Sequence, residues 1–85
     1  MSRNDNIRQE ILLQLYGSRP LARSADFISR EASKQGLQLS AQEIKSELIF
    51  LADEGLVITI KDAAGTAQMY RIHAHGVRYY EERYS

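Results

Sequence analysis

Apolar residues recur along this chain first at helical spacing and then, past its middle, at strand spacing. Within residues 4–16, Ile7, Ile11 and Leu15 lie four apart with Leu12 beside them, while Arg3, Arg8, Gln9, Glu10 and Gln14 occupy the other faces. This predicts an amphipathic first helix. Gly17 offers a C-terminal stop. In Ser18-Arg19-Pro20-Leu21 the proline lacks an amide proton and biases Arg19 away from helical angles. Ser24 is placed to cap a second helix, with Asp26 in the first turn, where negative charge suits the helix dipole. Phe27, Ile28 and Ala32 supply the apolar side of that helix, and Gly36 ends it after Lys34 and Gln35. Leu37-Gln38-Leu39 alternates apolar and polar, the pattern of one brief edge strand.

The third helix has the sharpest boundaries. Ser40-Ala41-Gln42-Glu43 matches a capping box, in which the serine hydroxyl accepts the third residue's amide proton and the glutamate reaches back to the serine amide. Ile44, Leu48 and Leu51 follow as an apolar stripe, Gly55 suits a left-handed stop, and Leu56 supplies the apolar contact that accompanies it. The period then falls to two. Residues 56–61 are rich in β-branched side chains, with Leu56, Ile58 and Ile60 on one face. Residues 62–66 form a turn, and residues 67–72 return as a second strand, which makes a hairpin. A last helix over residues 74–84 places Val77, Tyr80 and Tyr84 at helical spacing. Without a repeat, low-complexity tract or linker, residues 1–85 read as one mainly helical α+β domain.

Composition narrows the function classes. A chain of 85 residues buries only about two-thirds of its unfolded surface and supports one modest core. Its 44% hydrophobic and 26% charged content is that of a globular protein. The absence of cysteine removes disulfide and zinc-thiolate frameworks. The polar start of the chain and the lack of a long apolar run predict a soluble, cytoplasmic protein without signal peptide or membrane span. Eleven basic residues balance eleven acidic ones. There is thus no global positive field to draw the chain to nucleic acid.

The order helix, helix, helix, hairpin, helix resembles the winged helix-turn-helix family over nearly the whole chain. The residues that carry the resemblance are Ile44, Leu48, Leu51 and Glu54-Gly55-Leu56-Val57, then Tyr70-Arg71-Ile72-His73-Ala74-His75-Gly76. Many winged-helix regulators end the recognition helix in Leu-x-x-x-Gly-Leu-Val and run the second wing strand into Tyr-x-Leu-Thr-x-x-Gly. Here Ile72 replaces the leucine and His73 the threonine.

The resemblance implies a three-helix core with a two-stranded β-wing and a C-terminal helix. It implies that residues 41–54 form the recognition helix, its N-terminal half in the major groove of double-stranded DNA. With Ile44, Leu48 and Leu51 facing the core, Gln42, Lys45 and Ser46, together with Glu43 and Ile49, face outward toward bases. Lys61 and Thr66 at the wing tip would meet the minor groove or phosphates, and Arg19, Arg23, Arg30 and Lys34 are candidate phosphate contacts. The family further implies a homodimer through terminal helices, for which Tyr79, Tyr80 and Tyr84 are the candidate contacts. One short helix is not expected to bury all three rings, although Tyr80 has the alternative of packing on the first helix.

The charges of the third helix test this reading. Lys45 stands against Glu43, Glu47, Asp53 and Glu54. Glu43 belongs to the capping box, and Asp53 and Glu54 lie at the far end. Glu47 has no such role in the sequence, which leaves open a pairing with a nearby cation or with a neighbouring helix. His73 and His75 lack further ligands nearby, so neither metal nor cofactor is expected, and no nucleophile–base pair or glycine-rich phosphate loop suggests an enzyme. Two functions remain open: a transcriptional regulator that binds DNA, or a winged-helix adaptor for protein–protein interaction, which neutral charge and a tyrosine-rich tail favour.

Overall fold

A computed structural model describes residues 2–65 and 67–84. In chain order its elements are α1 (Arg3–Ser18), β1 (Arg23–Ser24), α2 (Ala25–Lys34), α3 (Ala41–Asp53), β2 (Val57–Lys61), β3 (Gln68–Ile72) and α4 (Ala74–Tyr84). The fold is α+β and mainly helical, four helices with a three-stranded antiparallel sheet ordered β1-β3-β2.

Local signals set most boundaries. The Ser2 hydroxyl accepts from the Asp5 amide to open α1, Ser24 accepts from Phe27 to open α2, and Ser40 forms the complete capping box of α3 with Glu43. Gly36 and Gly55 adopt φ of 85° and 75°, angles at which a side chain would be strained. Beyond Gly55, the Leu56 amide donates to the Leu51 carbonyl at 3.0 Å. This is the bond that closes a glycine-stopped helix. Gly17 is not the stop of α1, which runs on to Ser18 and breaks at Arg19 (φ −48°, ψ 138°). Proline at the next position excludes helical angles there, so Pro20 ends the helix.

The strand expected at Leu37–Leu39 is absent from these described residues; both leucines pack on the core, and the Gln38 carbonyl accepts instead from Arg3. The third strand is β1, whose Arg23 and Ser24 pair with Tyr70 and Met69 of β3. The expected two-stranded hairpin is therefore a three-stranded sheet. Two residues are too few to show a period in sequence. Within the hairpin, Val57 faces Ile72 and Thr59 faces Tyr70. Val57, Ile72 and Tyr70 are buried while Ile60 is exposed. Ile58 and Ile60 share a face as alternation requires, but the core takes the other one.

One hydrophobic cluster joins Ile7, Ile11, Leu12 and Leu15 of α1, Ile28 of α2, Ile44, Leu48 and Leu51 of α3, Val57, Tyr70 and Ile72 of the sheet, and Tyr80 of α4. α4 docks through a glycine. A Cβ at Gly76 would overlap the Leu56 carbonyl oxygen and lie 2.8 Å from Ile72 Cγ1. Only a hydrogen fits between that helix and the chain entering β2. Gly76→Ala is expected to destabilise the fold by about 1–3 kcal/mol or more, the cost of overpacking. Gly17→Ala, with nothing within 4 Å and an ordinary backbone, should stabilise it by about 0.4–1 kcal/mol. Urea unfolding followed by circular dichroism measures both.

Candidate nucleic-acid interface

The apolar stripe of α3 determines what the helix shows to solvent. Ile44, Leu48 and Leu51 are buried, and Gln42, Lys45, Ser46, Ile49 and Asp53 are exposed. At about 100° per residue, Gln42, Ser46, Ile49 and Asp53 form a ridge opposite the core, flanked by Lys45. Four of the five residues expected to face outward do so.

Glu43 is the exception. Its carboxylate lies 2.7 Å from Arg3 Nε, is held at 3.1 Å by a second guanidinium nitrogen, and accepts from the Ser40 amide at 3.1 Å. Arg3 also donates to the Gln38 carbonyl at 2.7 Å, which fixes the guanidinium. The bond from Arg3, reinforced by the Ser40 amide, holds the Glu43 carboxyl down at about 2. Glu43 is therefore a positioned cap tied to α1.

Glu47 is turned to the same side. It is 7% exposed, and Arg8 Nε donates to its carboxylate at 2.6 Å. The Arg8 guanidinium lies over the Phe50 ring, 3.7 Å from the centroid. A planar cation between a ring and a carboxylate satisfies both neighbours. The alternatives left open for Glu47 thus coincide, since the nearby cation belongs to the neighbouring helix. Arg3 and Arg8 are the residues the sequence reading missed; their partners lie 40 and 39 positions away.

Two grooves border the exposed side of α3, and Lys45 and Tyr70 line both. One, of about 320 Å³, is walled by Ala25, Asp26 and Ser29 at the start of α2. The other, of about 380 Å³, runs between Ile49 and Asp53 and the hairpin residues Thr59 and Gln68. Tyr70 is buried, and its hydroxyl donates to Gln68 at 3.2 Å.

The remaining predicted cations distribute unevenly. Arg30 pairs with Asp26 at 3.4 Å and Lys34 with Glu31 at 2.8 Å. Both are exposed pairs that cost little to exchange for phosphate, and Asp26 brings Arg30 to the wall of the first groove. Arg23, half-buried in β1, donates to the Ser18 hydroxyl at 3.1 Å and covers the Phe27 ring. Lys61 is exposed at the end of β2, and Thr66 lies outside the described residues. Arg19 is not brought to α3. Its guanidinium covers the Tyr16 ring at 3.9 Å, on the side of α1 that meets α4.

The tyrosines of α4 pack within the chain. Tyr80 is 9% exposed with its ring 4.5 Å from that of Tyr16; Tyr84 lies 5.3 Å from Tyr80, and Tyr79 meets Tyr84 edge-on at 6.5 Å. The Tyr16 hydroxyl donates to Glu81 at 2.7 Å. The three rings find partners through one another and α1, so their number alone does not call for a second chain. His73 and His75 stack at 4.9 Å, and His73 Nδ1 accepts from the His75 amide at the start of α4. Among the described residues no three His, Cys, Asp or Glu side chains gather to hold a metal ion, and no helix is long and apolar enough to cross a membrane.

Comparison with protein-family models, with curated proteins and with solved structures returned no match.

Two predictions concern the seam between α1 and α3. Because the folded carboxyl of Glu43 sits at about 2 against an ordinary 4.5, its contribution is fully present above the ordinary value and is lost as pH falls from there toward about 2. Glu43→Gln should flatten that limb of the stability–pH curve, read by thermal melts across the acid range. Arg8→Ala should cost about 2 kcal/mol, less than a fully enclosed pair because Arg8 keeps one open side. Glu47→Gln added to Arg8→Ala should restore part of this in urea unfolding. An equal loss with and without the second change would show the pair uncoupled.

Proposed function

We propose that the chain is a small DNA-binding protein of winged-helix type, a transcriptional regulator that works without catalysis or cofactor. The observation that carries this reading is the removal of Glu43 and Glu47 from the outward side of α3 by Arg3 and Arg8. What remains exposed over the first two turns, besides Ala41, is Gln42, Lys45 and Ser46, a hydrogen-bonding set with one cation. On this reading these residues contact base edges in the major groove. Arg23, Arg30, Lys34 and Lys61 hold phosphates on either side, and the hairpin beside α3 acts as the wing. The order α1, α2, α3, hairpin, α4 supports the family resemblance, and β1 adds an edge to the sheet beside the start of α2. Pairing of two copies through α4 would use the half-exposed edges of Tyr79 and Tyr84.

A second reading, an adaptor that binds another protein, is favoured by the equal numbers of acids and bases and by the exposed Leu13, Leu21 and Ile60. Fluorescence anisotropy with random-sequence duplex DNA at low salt separates the two. The DNA reading expects binding that weakens steeply as salt rises. Lys45→Glu should weaken it about tenfold or more, while Arg83→Glu on α4 should change it less than about twofold. Absence of binding at low salt, or binding indifferent to salt, would overturn the DNA reading in favour of the adaptor.

A further inference from the structure

One residue on the outward ridge of α3 is of a different kind from its neighbours. Ile49 is 54% exposed, although Gln42, Ser46 and Asp53 along the ridge are polar. Its exposed aliphatic surface gains nothing for the fold, because the core side of this helix is already filled by Ile44, Leu48 and Leu51. Nor do its ridge neighbours extend it into a continuous apolar patch of the kind that buries against a protein surface. A single aliphatic spot among hydrogen-bonding groups matches one surface in particular. In the major groove, base edges present donors and acceptors, apart from the C5-methyl group of thymine. A branched aliphatic side chain set against any other edge would leave a polar group without a partner.

Resting on the DNA reading of α3, we propose that Ile49 is a specificity residue that selects thymine by packing on its methyl group. The helix limits where that thymine falls. Ile49 follows Gln42 by seven residues, about 10.5 Å along the axis. With base pairs about 3.4 Å apart, the thymine falls within about three steps of the base met by Gln42. Lys45 and Ser46 lie between them on the exposed side.

The test removes only the methyl group. Duplexes bound by the wild-type protein are enriched from a random pool, and each thymine of an enriched duplex is replaced in turn by deoxyuridine. One replacement should weaken wild-type binding about fourfold, the weight of one buried methyl group. The same replacement should leave the binding of Ile49→Ala unchanged. Since Ile49 is exposed, the two proteins should melt alike, and a thermal scan checks that the variant is folded. Indifference of the wild type to every replacement, or an equal loss in Ile49→Ala, overturns the proposal while leaving the DNA reading intact. Failure to enrich any duplex with salt-dependent binding overturns both.

Discussion

The carboxylate of Glu47 sits almost out of water at the edge of the apolar stripe of α3, and it can do so only because Arg8 meets it at 2.6 Å. Left without that partner, the carboxylate would cost the fold about 2 kcal/mol, less than in a fully enclosed pair because Arg8 keeps one open side. The guanidinium is itself held flat against Phe50 of the same helix. One turn back along α3, Glu43 meets Arg3, which lies a similar distance back along α1. Two contacts at matched spacing fix both the rotation of α3 about its axis and its height on α1. Burial of Ile44, Leu48 and Leu51 drives the packing. The ion pairs contribute less to net stability than to the choice of one docking among several that would bury similar apolar area.

That choice decides what the other side of the helix can do. A rotation of α3 that freed Glu47 would carry carboxylates toward solvent and turn Lys45 toward the core. With the seam in place, the acids of the first two turns face α1, and the exposed residues there are uncharged or positive. Net charge is thus a poor guide to this chain. Eleven acids and eleven bases cancel in the sum, yet several of the acids are spent on arginines within the fold, and what a partner meets is the local remainder.

The parts of the fold legible in sequence are those specified by neighbouring residues. The capping box at Ser40, the glycine stops at Gly36 and Gly55, and the stripes of α1 and α3 each need only a few adjacent positions. What escaped depends on distant ones. The pairing of Arg23 and Ser24 with β3 spans two helices and leaves no periodicity to read. The buried face of β2 is chosen by where Ile72 and Tyr70 lie across the ladder, since alternation is the same for both faces. Gly76 is visible as a glycine, but its reason is the Leu56 carbonyl twenty positions earlier. The candidate site divides in the same way: the exposure of Gln42, Lys45 and Ser46 follows from the stripe, whereas the fate of Glu43 and Glu47 rests on arginines of another helix.

The proposed function inherits a consequence from this economy of charge. If few cations face the duplex, few counterions are released, and non-specific affinity at physiological salt must be low. Discrimination would then rest on shape and hydrogen bonding at the ridge of α3, where Gln42, Ser46 and Ile49 offer an amide, a hydroxyl and an aliphatic surface. A strongly basic domain occupies any DNA and must outcompete its own background. A neutral one avoids that competition, but its base contacts then have to supply a larger share of the total binding energy. Rotational precision of α3 matters more in such a protein, because a small roll of the helix would misalign each base contact while few phosphate contacts compensate. On the proposed reading, the Arg3 and Arg8 seam would supply that precision from the side of the helix turned away from the duplex.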